Sequence, residues 1–497
     1  MNRQLLLSLT GLLVTVPVCA AVRLAAPFAD GMVLQREKPV AVWGTASPGE
    51  CVTVSFADQR VSATADAQGE WKLRLRPLAA SKEGRTLTAN GVTVKDVLVG
   101  EVWYCSGQSN MAFPLWGLNP HARDRQGATV AQMTRKPFIR FVRATRNAFS
   151  AKPRKTPRYT VRWLPFTPEN LLSAESFSAV ATYYGLELYA ALEIPIGLIG
   201  SYQGGTGIDP WTPREGTASV PTLRDVLDFP VTDDWRPEMR KGVFSAGHQQ
   251  PGVLFNEMVA PMCPYTMRGI IWYQGCYNAG EWQRYADKMH ALYNGWTEKF
   301  EDPALKLYFV QLAPWWSPLV PKIQEAQERF AREEPNAAMA VVCDLGNVND
   351  IHPHEKGTVG KRLALHALKR DYGFDGIEPD SPTLEAWKVE GDAFRLQFRH
   401  AKELYVYNPD FSRTNGFEIA GADGRFVPAE IANMVVFTNS AKVAEYRGQI
   451  RGPGLIVRAP GVSEPKHLRY LHSRPWHGNL YNGFCLPLGA FHIDAKE

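Results

Sequence analysis

The chain has 497 residues, 45% hydrophobic and 21% charged, with 41 Gly and 36 Pro scattered along it. That balance is globular and excludes a disordered, low-complexity or collagen-like chain. A net charge of +5 is too slight at this length to point to nucleic acid, and ~100–200 residues per domain predicts two to four domains.

Residues 1–21 read as a secretory signal peptide: Arg3, a short apolar run from Leu5 to Val18, then small residues at Cys19, Ala20 and Ala21. A secreted or periplasmic protein is therefore expected. Cys19 raises a lipid-anchor alternative, which Pro17 and Val18 fit poorly. No later stretch offers ~18 uninterrupted apolar residues, so no membrane span is expected. The other cysteines, Cys51, Cys105, Cys263, Cys276, Cys343 and Cys485, are widely spaced and match no disulfide or zinc framework. Buried free thiols, at most one bridge, and no metal are expected.

Residues 22–96 carry short strands (Val40–Trp43, Cys51–Phe56, Gln59–Ala65, Trp71–Leu75) between turn signals, predicting an N-terminal β-sandwich. From 97 to 380 the pattern changes. Val97–Cys105, Ile196–Ile199, Gly269–Tyr273, Leu307–Leu312 and Ala338–Val342 read as strands. Phe177–Leu192, the segment from Trp282 to Phe300, Lys322–Arg332 and the segment around Val359, Leu363 and Ala367 read as helices. This alternation predicts an α/β layer with a parallel sheet. Residues 212–250 are polar and proline-rich, a surface insertion that could rim a site. From 381 to 497 strands return (Phe394–Phe398, Glu403–Tyr407, Gln449–Val457), predicting a C-terminal β-domain.

Four strand-end segments carry candidate chemistry. In Ser106-Gly107-Gln108-Ser109-Asn110, Ser109 stands just past a buried strand, where α/β sheets hold ligands; the bland alternative is a helix cap. Gly204-Gly205-Thr206-Gly207 offers bare backbone N–H groups to an oxyanion or is a flexible turn. In Gln274-Gly275-Cys276-Tyr277-Asn278, Asn278 is a side-chain N–H donor or a turn asparagine. In Asn349-Asp350-Ile351-His352-Pro353, His352 is a candidate base with Asp350 to orient it, or plain polar surface. Together they supply nucleophile, base and oxyanion donors for acyl transfer.

The order of these blocks resembles the sialate O-acetylesterase family, a branch of the SGNH (GDSL-like) hydrolases. The blocks are MVLQREKPVAVWGTASPGE, GEVWYCSGQSN, GGTGIDPWTP, NEMVAPM, GIIWYQG, DIHP and LRYLHSRPWHGNLYNGFCLPLGAFHID, from about Pro27 to the C-terminus. The resemblance implies an SGNH-hydrolase-like parallel sheet with helices on both faces, flanked by N- and C-terminal β-sandwich regions. It implies Ser109 as nucleophile, His352 as base, and an oxyanion hole from the Ser109 backbone, Gly205 (or Gly204) and Asn278. Many such enzymes carry an aspartate three residues before the histidine. Here that position is Asn349, which leaves Asp350 or a main-chain carbonyl to orient His352. Relatives commonly read QGE where this chain has Cys276, and a substrate range altered at that point follows. Cys276 as the nucleophile itself is disfavoured, since no histidine follows it locally.

The implied activity is removal of acetyl esters from a carbohydrate, without cofactor or metal. Sialic acid is the substrate the family name suggests, and plant hemicellulose such as xyloglucan or xylan is the alternative. Gln108, Gln274, Trp211 and Cys276 are expected to bind substrate. Trp315 and Trp316 are further stacking candidates, as is Trp272, for which core packing is the expected role, with Arg214 and Arg268 available to a sialic acid carboxylate. A catalytically inactive carbohydrate-binding protein and a long-chain lipase or thioesterase are the competing readings.

Overall fold

One strand, β1 (Val92–Gly107), runs for 16 residues and belongs to two structural regions at once. Its first half pairs antiparallel with Ser81–Ala89 and parallel with Val33–Gln35. Its second half lies inside a parallel sheet with β2 (Ile139–Arg143), β3 (Ile196–Tyr202), β4 (Gly269–Tyr273), β5 (Lys306–Val310) and β6 (Ala337–Ala340). The spatial order is β2-β3-β1-β4-β5-β6, with Leu164–Pro165 antiparallel on the outer edge of β2. The computed structural model describes residues 21–117, 138–144, 148–173, 177–408, 416–438, 446–450, 454–472 and 477–495. The expected leader, with Cys19, lies outside them up to residue 20.

The fold is mixed α/β with several sheets. The inner strands are apolar runs buried along their whole length, as a sheet covered on both faces requires. Trp103 and Tyr104, adjacent on β1, point to opposite faces. Trp103 meets Tyr184 of α1 (Ala179–Leu192) at 5.3 Å, and Tyr104 meets Trp296 of α2 (Trp282–Lys299) at 5.2 Å between ring centroids. Helices therefore cover both sides. α1 also packs against α4 (Lys356–Arg370), and α2 against α3 (Val320–Glu333). The apolar face expected from Trp282 to Phe300 is present: Tyr285, Met289, Leu292 and Trp296 are all buried.

The expected boundary between residues 96 and 97 falls inside β1, and the core of the N-terminal strands is continuous with that of the α/β layer. By contrast, the three four-stranded sheets after residue 383 enclose a largely separate core around Phe394, Phe417, Ile419 and Tyr470. Cys343, just after β6, ties the two regions: its Sγ donates to the Leu488 carbonyl at 3.1 Å, and its carbonyl accepts from Gly478 N at 2.9 Å. The expected strand Gln449–Val457 is two strands, Tyr446–Ile450 and Leu455–Arg458, in different sheets. Gly454, at φ +80°, immediately precedes the second of them. The insertion 212–250 holds short helices and a small core of Leu223, Val226, Phe229 and Phe244, which packs with Ala291 of α2. Cys51, Cys105, Cys263, Cys276, Cys343 and Cys485 are all free, with Cys51 and Cys485 exposed instead of buried. No helix among the described residues is long and apolar enough to cross a membrane.

Candidate active site

β1, β3 and β4 are neighbours, and their carboxyl ends open together at the point where strand order reverses, the usual ligand crevice of such sheets. Three of the four candidate segments start there. β1 ends at Gly107, whose φ of +142° and contact with β4 exclude a side chain, since a Cβ would lie 2.2 Å from the Tyr273 carbonyl. The backbone then turns directly into a short helix, Ser109–Ala112. Gln108 is nearly buried, and its Oε1 accepts from Gly275 N at 3.0 Å. Through Oε1 it clamps the β1 turn to the β4 turn.

Past β3, Gly204 and Gly205 are exposed, and a Cβ on Gly204 would stand 3.4 Å from the Ser109 Cβ. Gly205 takes φ +70° with open space where a side chain would project. The glycine turn is therefore beside the serine, and its shape is held from outside. Gln249 accepts from Gly207 N at 3.0 Å and donates to the Gly205 carbonyl at 2.5 Å. Gln249 lies at the end of the polar insertion, and no local sequence signal marks this role.

Asn278 is fully buried. Its Oδ1 accepts from Ile208 N at 3.0 Å and from Gln274 Nε2 at 2.8 Å, so the amide orientation is fixed. Its Nδ2 donates to Glu281 at 3.1 Å, and Glu281 and Asp209 both pair with the buried Lys288. One Nδ2 hydrogen goes to Glu281; an amide carries two. Gln274 is also fully buried, bonded to the Thr206 carbonyl and to the hydroxyl of Tyr285. It braces Asn278 and is closed off from any ligand.

The histidine loop precedes α4 and is bonded to the serine turn. Asn110 Nδ2 donates to the Ile351 carbonyl at 2.9 Å, which joins the residue after Ser109 to the residue before His352. Phe113, from the end of the same turn, has its ring centroid 6.0 Å from that of His352. Asp350 Oδ1 accepts the backbone N–H of His352 at 2.8 Å and lies 3.7 Å from its Nδ1, while Oδ2 lies 3.5 Å from His354 Nε2. Burial lowers the His352 pKa below the usual imidazole value. Lys356 and His354 act in the same direction and Asp350 opposes them.

The segment from residue 99 to residue 369 matches the family model for carbohydrate esterases of the sialic acid-specific acetylesterase type. This chain belongs to that family. Relatives include sialate O-acetylesterases of Pongo abelii, 27% identical over 471 residues covering 86% of both chains, and of Homo sapiens, 28% identical over 428 residues covering 78% of both. The crystal structure of a carbohydrate acetylesterase from Xanthomonas citri superposes with a TM-score of 0.78 at 29% identity, over 96% of this chain and 100% of that one.

Several residues expected to meet substrate in this esterase have other surroundings. Trp211 is fully buried, its ring edge-on to Trp272 and its Nε1 bonded to Thr206 Oγ1 at 3.1 Å. It packs the floor under the glycine turn and offers no face to a sugar. Trp272 is core as well, whereas Trp316 is 74% exposed. The backbone N–H of Trp316 donates to the Val348 carbonyl at 2.7 Å, which sets it beside the histidine loop. Burial pushes the Cys276 thiol up to about 12, which leaves almost no thiolate near neutral pH. Arg268 sits at the opposite, amino end of β4, engaged with the buried Glu101 through two hydrogen bonds. Arg214 donates to the Leu227 carbonyl within the insertion. A crevice of about 910 Å³ lies elsewhere, between the N-terminal strands and the insertion, lined by residues such as Trp43, Trp71, Arg154 and Pro213.

Proposed function

We propose that this esterase removes acetyl groups from carbohydrate hydroxyls through a serine acyl-enzyme. The observation that carries the reading is the Asn110–Ile351 hydrogen bond. It joins the Ser109 turn to the His352 loop across 241 positions of sequence, at the strand ends where Gly204 also meets Ser109.

In this reading Ser109 Oγ attacks the acetyl carbonyl while His352 removes its proton. His352 then returns the proton to the departing sugar oxygen, and the acetyl group remains on Ser109. The developing oxyanion is met by the backbone N–H of Ser109 and Gly205 and by the second Nδ2 hydrogen of Asn278. A water molecule deprotonated by His352 attacks the acyl-serine and releases acetate. The lowered His352 pKa supports this role, because a base has to be neutral to accept a proton. Asp350 holds the loop backbone through the His352 N–H and keeps its carboxylate 3.7 Å from the imidazole Nδ1. The β1-to-serine turn beneath a parallel sheet supports an SGNH-type arrangement, with the N- and C-terminal β-sandwich regions bracing it. The leader from Met1 to Ala21 supports export to the periplasm or beyond.

A neutral hemicellulose substrate such as acetylated xyloglucan or xylan is the second reading. It is favoured by the engagement of Arg268 with Glu101 and of Arg214 with Leu227, which leaves neither arginine aimed at a sialic acid carboxylate. Acetate release across acetylated sialic acid, xyloglucan, xylan and an acetylated monosaccharide decides between them. Release from none of these, with glycan binding retained, would leave only the non-catalytic binding role.

A further inference from the structure

Lys356, the first residue of α4, is fully buried. Among the described residues it makes no ion pair, and its ammonium has one hydrogen bond, to Asn110 Oδ1 at 2.5 Å. Two aromatic faces lie beside it, with Nζ 5.1 Å from the centroid of Phe113 and 5.3 Å from that of Tyr273. Burying an ammonium without a carboxylate partner is costly, and such groups concentrate where chemistry needs them. Its place is specific. As an ammonium Lys356 only donates, so Asn110 turns Oδ1 toward it, which leaves Nδ2 for the Ile351 carbonyl. The residues joined in this way flank Ser109 on one side and His352 on the other.

We propose that Lys356 is a positioning residue for the acyl-transfer site, its buried ammonium fixing the Asn110 amide that ties the serine turn to the histidine loop. The inference rests on the esterase reading above and deepens it. Without the ammonium, the Asn110 amide is free to flip and the tie to Ile351 loosens. Lys356 also bears on His352 through charge. The titratable groups facing His352 are Lys356, Asp350 and His354; those facing Lys356 are Cys276, Glu355 and Asp350. A cation beside an imidazole disfavours its protonation, so Lys356 keeps His352 neutral to lower pH. Burial brings the Lys356 pKa down to about 7, so it is charged in the acid range where His352 titrates.

The test compares Lys356→Met, Asn110→Ala and the double variant on p-nitrophenyl acetate, with full pH profiles and melting temperatures. For Lys356→Met, kcat is expected to fall by up to ~10²-fold with little change in KM, as a small misplacement of reacting groups produces. The acid limb of kcat/KM moves to higher pH, and the melting temperature holds or rises because a buried charge has gone. Asn110→Ala lowers kcat similarly and leaves the acid limb in place, and the double variant loses no more than the worse single change. A Lys356→Met enzyme with wild-type kcat and an unmoved acid limb overturns the proposal, as does one that only loses stability. Should Lys356→Met fail to fold, a wild-type kcat for Asn110→Ala overturns it and a lowered kcat supports it. The esterase reading fails separately, if the wild-type chain releases no acetate or if Ser109→Ala retains activity.

Discussion

The side-chain amide of Asn110 donates to the Ile351 carbonyl at 2.9 Å, so the residue after the candidate nucleophile grips the residue before the candidate base. Ser109→Ala leaves that grip intact while removing the only hydroxyl the mechanism uses. Acetate release should fall by ~10⁴-fold or more, with a melting curve close to wild type. Both are read from one preparation by a coupled acetate assay and calorimetry. Retained turnover would remove Ser109 from the mechanism.

Asn278 tests the oxyanion hole. Asn278→Asp keeps an oxygen toward Ile208 and Gln274 but replaces the N–H donor with a second acceptor. The expected loss is ~10²–10³ in kcat, with KM nearly unchanged, because the oxyanion exists only in the transition state. A rise in KM at constant kcat would instead assign Asn278 to ground-state binding.

The pH dependence follows from His352. Its folded-state pKa lies below the ordinary imidazole value because burial, then Lys356, disfavours the cation. The base is therefore neutral and active down to below pH ~6.5, and activity is lost only as pH falls through the lowered value. A kcat/KM profile on p-nitrophenyl acetate measures this directly. An acid limb centred above neutrality would contradict it.

Two tryptophans should behave oppositely. Trp316 is exposed and its backbone is bonded to the histidine loop; Trp211 is buried under the glycine turn. Trp316→Ala should raise KM for acetylated oligosaccharides and leave p-nitrophenyl acetate hydrolysis and stability alone. Trp211→Ala should cost about 3–5 kcal/mol of stability, seen in denaturant unfolding. A stable Trp211→Ala enzyme with impaired glycan binding would restore the stacking role expected from sequence.

The strand ends were legible because each is an apolar run stopped by glycine: β1 at Gly107, β4 before Gly275, and β3 shortly before Gly204. Such punctuation is local and can be read along the chain. The contacts that assemble the site are not local. Asn110 reaches Ile351 across 241 positions and Lys356 across 246, while Gln249 reaches back to Gly205 across 44. No window of periodicity contains them. Gln108, Gln274 and Trp211 follow or border these strand ends, yet composition cannot say whether a polar or aromatic side chain faces a ligand or holds a loop. The strand Ile139–Arg143 is hard to read along the chain because its arginines interrupt the apolar run; in the fold, Arg140 Nη1 donates to the Gly31 and Asp96 carbonyls.

The 16-residue span of β1 has a consequence for how the molecule can be cut. The same backbone that zips into the amino-terminal hairpins delivers Ser109, so those hairpins act as the fixed anchorage of a lever whose tip is the candidate nucleophile. Excising residues 22–96 would fray that lever at its root and strip partners from Leu98 and Val99. The amino-terminal strands thus share one body with the α/β layer, and a fragment that keeps the Ser109 turn in place is expected to begin ahead of them.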